Sequence, residues 1–200
     1  MIYGPILVII GAIIQLAAIS IYIRDTLRGQ TRPNRMTWLL WSVAPLIATF
    51  AAISNGVTWA VLPVFISGFG PLLVLLASFI DRQAYWKLGR LDYSCGLLAV
   101  LALVLWGITK NPEVAIIFAI ASDALAAAPT IIKAWYHPHT ESATPFVLST
   151  FNALTGFTAI TAWTFSAFAF PAYLVIINIV LAYSILGSPN RKPLHAKLNA

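Results

Sequence analysis

The residues of this sequence best suited to chemistry are an acid and a proline inside one apolar segment. Asp123 is followed six residues later by Pro129 and ten residues later by Lys133. At about 1.5 Å per helical residue, Asp123 would lie about 15 Å from Lys133 along the helix axis. A carboxylate at such depth in a membrane costs about 2.5–3.5 kcal/mol and usually faces a bundle interior or a water-filled cavity. Asp123 is therefore predicted either to exchange a proton or contact a solute, or to pack helices by bonding to a hydroxyl such as that of Ser122 or to a neighbouring helix.

The composition indicates a membrane environment for these residues. Of the 200 residues, 60% are hydrophobic and only 9% are charged, whereas soluble chains are about one quarter charged. Apolar residues extend along the whole length, which predicts an all-α polytopic membrane protein. The net charge of +6 does not indicate a nucleic-acid partner, because the basic residues lie in short segments between apolar runs. The single Cys95 excludes an internal disulfide.

Seven apolar segments approach or reach the length of about 20 residues that crosses a bilayer. Eleven of the twelve basic residues fall in alternate connecting segments and the tail, and only Lys110 falls in the others. This asymmetry predicts that the N-terminus lies outside and the C-terminus in the cytoplasm. The predicted spans are Pro5–Ile23, Met36–Ile53, Val57–Ile80, Tyr93–Ile108, Val114–Trp135, Pro145–Phe168 and Phe170–Gly187.

The two halves of the chain predict an internal repeat. Shifts of 109 and 108 residues align Arg24 with Lys133, Thr31 with Thr140, Leu39 with Leu148, Thr49 with Thr158, Pro63 with Pro171 and Leu73 with Leu181. Spans one to three pair with spans five to seven, and the fourth span, as one extra crossing, makes the two units parallel. The alternative is a chance similarity between apolar helices. The predicted units are a first repeat at 1–82, a linker helix at 83–110, a second repeat at 111–188 and a cytoplasmic tail at 189–200.

The second half carries a motif that, with this 3+1+3 arrangement, resembles the SWEET, SemiSWEET and PQ-loop (MtN3-like) superfamily. Its residues are Pro129-Thr130, Lys133, Thr140-Glu141-Ser142 and Pro145-Phe146. Thr130 stands where the family has Gln, and Ser20 stands where the first repeat would have proline. The resemblance implies a full-length seven-helix transporter of bacterial type, which moves a sugar or sugar-like solute by alternating access between the two repeats.

The resemblance also implies a set of substrate-binding residues. Plant-type members carry a Trp late in the second helix of a unit and an Asn in the third, and Trp163 and Asn178 are similar to that pair. Ser54 and Gly70 occupy the aligned positions of the first unit, and the predicted substrate-binding residues are Trp163, Asn178, Asn152, Ser54 and Ser67. The amides suit a hydroxyl-rich or amide-bearing solute, although buried amides also join helices. Trp163 is alternatively an anchor at the membrane interface, the role predicted for the other tryptophans, Trp38 and Trp41 among them.

Two further residues complete the predicted machinery. Gln15 lies in the first unit at almost the depth of Asp123, so the two are the candidates for proton coupling, although Gln15 cannot titrate. Pro129 removes one backbone hydrogen bond from its helix, which predicts a hinge; a static kink or the end of the helix are the alternatives.

Other classes of protein lack their sequence features. The chain has no G-x-x-x-x-G-K-[ST], H-E-x-x-H or G-x-S-x-G motif and no lysine in the last span, so we expect no ATPase, no enzyme, no rhodopsin, no cofactor and no metal. The predicted partners are a small-molecule solute and the lipid bilayer, with a homo-oligomer left open. The predicted location is a bacterial inner (plasma) membrane. A vitamin- or nucleoside-type carrier of similar fold and a membrane receptor that does not transport remain the alternatives.

Overall fold

The computed structural model describes residues 3–54, 59–80, 86–109, 112–160 and 162–190. Within these ranges the chain is helical and has no strand, which confirms the predicted all-α class. The α-helices are α1 (Tyr3–Leu27), α2 (Arg35–Ser54), α3 (Leu62–Ile80), α4 (Arg90–Thr109), α5 (Pro112–Tyr136), α6 (Thr144–Phe157) and α7 (Phe165–Leu186), with 3-10 turns at Trp59–Val61 and Pro138–Thr140. Lys110 and the tail beyond residue 190 lie outside the described residues, as does the side chain of Ser54.

Four of the described helices are long and apolar enough to cross a membrane. They are the segments Gly4–Leu27, Leu62–Ile80, Ile116–Tyr136 and Ala167–Leu186 of α1, α3, α5 and α7. Large aliphatic side chains on these helices, such as Ile13, Leu76 and Ile176, are exposed. Exposed apolar surface of this extent is unusual for a soluble monomer. Together with the four apolar helices, it indicates that the chain has the general character of a membrane protein.

The helix contacts in the first half of the chain match those in the second half. Helix α3 packs against both α1 and α2, and α7 packs against both α5 and α6. Between these two groups, α1 packs against α6 and α5 packs against α2. Helix α4 packs against α5 and, less extensively, against α2. The contacts within α1–α3 therefore recur within α5–α7. Between the groups, the first helix of each group packs against the second helix of the other.

Local sequence explains where the helices begin and end. The Asn34 side chain accepts hydrogen bonds from the backbone N–H groups of Met36 (3.1 Å) and Thr37 (3.3 Å), so it caps the start of α2. Pro145 stands in the first turn of α6, where the missing N–H costs nothing. The same helix ends at Phe157, well short of the predicted boundary at Phe168, because the following N–H groups form tighter turns with carbonyls three residues earlier.

A row of aromatic rings connects the two groups of helices. The ring centroids of Tyr22 and Trp38 are 4.9 Å apart, those of Trp38 and Trp41 are 5.4 Å apart, and those of Trp41 and Phe146 are 6.2 Å apart. Trp38 and Trp41 are only 2% and 7% exposed. Their predicted role as interface anchors is therefore wrong, because three-residue spacing directs both indoles to one buried face of α2.

Candidate functional site

A cavity of about 50 Å³ lies where the two groups of helices meet. Each helix except α4 contributes to its lining within the described part of the chain. One wall is aromatic and consists of Trp38, Trp41 and Phe146. The polar side chains that line the cavity are Gln15, Ser67, Asp123, Ser149 and Asn178. The combination of apolar and aromatic side chains with a few polar groups is typical of sites for small molecules.

Among the described residues that line this cavity, Asp123 is the charged one. Its side chain is 4% exposed, and its Oδ2 atom accepts a hydrogen bond of 2.7 Å from the hydroxyl of Tyr173 on α7. The indole N–H of Trp41 donates to the backbone oxygen of Asp123 at 3.4 Å. The carboxylate therefore bonds to a neighbouring helix, which is one of the predicted alternatives, and not to Ser122, whose hydroxyl has no partner within the described residues.

Two amides that the sequence singled out pair with each other beside the cavity. The Asn152 side chain on α6 donates a hydrogen bond to the Gln15 side chain on α1, and both are buried. Gly11 permits this close approach, because a Cβ atom there would lie 2.5 Å from Oγ1 of Thr155 and 3.0 Å from Oδ1 of Asn152. Asn152 thus joins helices, while Gln15 lines the cavity directly.

Asn178 combines a bond to its own helix with a position on the cavity. Its Nδ2 atom donates to the backbone oxygen of Leu174 at 2.8 Å. Its amide oxygen has no hydrogen-bond partner in the described ranges. Ser67 on α3 also lines the cavity, and its hydroxyl donates to the backbone oxygen of Pro63 at 2.9 Å.

The remaining predicted site residues lie elsewhere. Trp163 falls in the connection between α6 and α7, where it is 68% exposed and stacks on Phe157 with ring centroids 6.0 Å apart. The structure does not bring it to the cavity. Pro129 lies inside α5, which continues to Tyr136, so the alternative that Pro129 ends the helix is wrong.

A buried ion pair lies near the loop end of the cavity, defined here as the end that carries the α1–α2 and α5–α6 connections. Lys133 on α5 pairs with Glu141, and the two side chains are 1% and 0% exposed. The Tyr22 hydroxyl on α1 donates to Oε2 of Glu141 at 2.6 Å. Lys133 also donates to the backbone oxygen of Arg32 at 2.6 Å. One acid therefore contacts both halves of the chain.

Sequence reasoning missed several residues that the structure brings to the site. Tyr173 gave no indication, because it stands near the start of the predicted seventh span, and tyrosines at the ends of spans are common at membrane interfaces. The aromatic wall could have been found from helical spacing, since Trp38, Trp41 and Pro45 share one face of α2, and Leu174, Asn178 and Leu181 share one face of α7.

Comparison of the chain with protein-family models, with curated proteins and with solved structures finds no match. Within the described ranges, no three His, Cys, Asp or Glu side chains come together as metal ligands would.

Proposed function

We propose that this chain is a membrane transporter of SWEET-like architecture, which moves a small polar solute by alternating access through the cavity between two three-helix repeats. The cavity carries the proposal: an apolar bundle encloses five polar side chains, drawn from both groups of helices. The matching contacts of α1–α3 and α5–α7 support a parallel repeat, in which the solute site lies between the units. The transport we propose involves no catalysis.

The same proposal includes seven spans in a bacterial inner membrane, with the N-terminus outside. The four apolar helices and the distribution of basic residues support this arrangement. The buried contacts of Glu141 with Lys133 and Tyr22 would then close the cytoplasmic side. Opening that side requires the ion pair to separate or to move as one body with its helix.

Two residues of α5 would serve the transport cycle. Pro129 lies between the cavity and Lys133, and its missing N–H weakens the helix at the point where a bend would separate the loop end. Asp123 is the residue we propose for proton coupling, with Gln15 as its non-titrating counterpart in the first repeat. The aromatic wall favours a second candidate, a carrier for a vitamin or nucleoside, because a ring can stack on Trp38, Trp41 or Phe146.

Uptake by proteoliposomes tests the proposal. Purified protein is assayed with labelled sugars, nucleosides, amino acids and vitamins, beside the variants Asn178→Ala and Ser184→Ala. Ser184 is the matched control, because its hydroxyl also bonds a backbone oxygen of α7 but it lies away from the cavity. We expect uptake of at least one solute, a reduction of about tenfold in Asn178→Ala and no reduction in Ser184→Ala. Binding without uptake would favour a receptor, and equal effects of the two variants would contradict the proposed site.

A further inference from the structure

We propose that the solute of this cavity is an organic cation, held by Asp123 as its counter-ion and by the aromatic wall. This inference rests on the proposed function and deepens it by naming the class of solute. It separates the chain from carriers of neutral sugars, whose recognition depends on hydrogen bonds to hydroxyl groups.

The charge balance of the cavity supports a cation. Asp123 is the one charged residue among those that line it in the described part of the chain. The groups that hydrogen-bond to Asp123 from neighbouring helices are the Tyr173 hydroxyl, at the carboxylate, and the Trp41 indole, at the backbone oxygen, and both are neutral. The nearest lysine on the same helix, Lys133, is paired with Glu141 at the loop end. A buried carboxylate without an opposite charge is costly, so a positively charged solute would supply the charge that the protein lacks.

The aromatic wall independently favours a positively charged solute. Ammonium groups are attracted to the faces of aromatic rings, to tryptophan most strongly. Trp38, Trp41 and Phe146 form a continuous series, with successive ring centroids 5.4 and 6.2 Å apart. An ammonium group between these rings and Asp123 would have a carboxylate on one side and π-faces on another. This combination is suited to primary amines and quaternary ammonium groups.

The polar groups that remain are few for a hydroxyl-rich solute. The Asn178 amide nitrogen already donates to the backbone oxygen of Leu174, and the Gln15 oxygen already accepts from Asn152. Among the described lining side chains, the Asn178 oxygen and the Ser149 hydroxyl remain for a solute. The Ser67 hydroxyl donates to the backbone oxygen of Pro63. A sugar would have to leave several hydroxyl groups unpaired in an apolar site, which is unfavourable. A quaternary ammonium group has no N–H to satisfy and needs only an opposite charge and contact with aromatic faces, which Asp123 and the aromatic wall supply.

Two pairs of probes that differ chiefly in charge test the inference. Choline is compared with 3,3-dimethylbutan-1-ol, its neutral isostere, and tryptamine is compared with tryptophol. Binding to the purified full-length chain is measured by titration calorimetry at about pH 8, where free carboxylates are ionised. The variants are Asp123→Asn, which keeps an acceptor for Tyr173, and Tyr173→Phe, which keeps the charge. Ser184→Ala is the control on α7.

We expect at least one cation to bind about tenfold more tightly than its neutral partner. The ratio should fall to about one in Asp123→Asn and persist in Tyr173→Phe and Ser184→Ala. Equal binding of cation and neutral partner, a ratio that survives in Asp123→Asn, or no binding of either cation at about 10 mM would overturn the inference. If Asp123→Asn does not fold, the comparison of probes in the parent protein still decides it.

The two proposals fail in different ways. Uptake of a neutral sugar by proteoliposomes, together with no binding of the cations, would overturn the cation inference and leave the transporter standing. Selective cation binding, with no uptake of that cation when it is supplied in labelled form to the same proteoliposomes, would retain the site and overturn transport.

Discussion

Tyr22 and Glu141 are 119 residues apart in the sequence, yet the phenol hydroxyl of one donates to Oε2 of the other at 2.6 Å. Glu141 also pairs with Lys133, and all three side chains are buried. Tyr22 belongs to α1, whereas Lys133 and Glu141 lie at the end of α5 and just beyond it. This small network therefore fastens the two groups of helices together at the loop end.

The ion pair should contribute strongly to stability. Replacement of Lys133 by Ala leaves the Glu141 charge buried without its cation, which typically costs about 3–5 kcal/mol. The matched control is Arg24→Ala, because Arg24 occupies the aligned position of the first half and pairs with Asp25 at the surface. Such exposed pairs contribute about 0–1 kcal/mol. Unfolding in detergent should separate the two variants clearly; equal losses would mean that the buried pair contributes no more than the exposed one.

The close contact of α1 and α6 gives a second prediction. Gly11→Ala places a methyl group against Oγ1 of Thr155, whose β-branched side chain has little freedom to move. Overpacking of this kind costs about 1–3 kcal/mol. Gly107→Ala is the control, since a Cβ atom there meets nothing within 4 Å and alanine favours the helix by about 0.5–1 kcal/mol. Thermal unfolding should show opposite signs for the two changes, and a stabilising effect of Gly11→Ala would contradict the described packing.

Pro129 is predicted to act on rate rather than on binding. Pro129→Ala restores the backbone N–H and stiffens α5, so we expect slower uptake, by about threefold to tenfold, with unchanged solute affinity. Pro171→Ala, inside α7, is the control and should have a smaller effect on rate. Initial uptake rates and calorimetric affinities are measured on the same preparations. An unchanged rate in Pro129→Ala would assign the proline to a static kink.

Cation binding should weaken as the pH falls. Protonation of Asp123 removes the negative charge that holds the ammonium group, whereas the tested cations keep their charge between about pH 5.5 and 7.5. Affinity for choline or tryptamine is therefore expected to be lower at the acidic end and to be independent of pH in Asp123→Asn. Titration calorimetry at the two pH values measures this difference. Equal pH dependence in the parent and in Asp123→Asn would place the titrating group elsewhere.

Much of the fold follows from the sequence because hydropathy is a direct consequence of the solvent that surrounds a helix. The apolar runs predicted helices at all seven described positions, although the sixth was predicted too long. Its apolar composition continues beyond Phe157, where the backbone turns back through tighter hydrogen bonds. Composition alone does not reveal such a turn, and this is why Trp163 was predicted to lie inside a helix.

The cavity was predictable only in part. Gln15, Ser67, Asp123 and Asn178 stood out because polar side chains are costly in apolar helices and tend to face one another. Aromatic residues do not stand out in the same way, since a tryptophan in a membrane helix can face lipid, the interface or the core. Which of these Trp38 and Trp41 adopt depends on the position of α5 and α6, and this is a property of the tertiary packing.

The central claim is that one cavity opens in turn to each side of a membrane, and the accessibility of residue 178 tests it most directly. Cys95, the single cysteine, is first replaced by Ser, and Asn178→Cys is then introduced on α7. A membrane-impermeant thiol reagent is applied separately to each face of sealed vesicles, with a cysteine at the control position Ser184 labelled in parallel. Alternating access predicts that residue 178 reacts from both faces and that bound solute slows both reactions. Labelling from one face only, or from neither, would contradict the account.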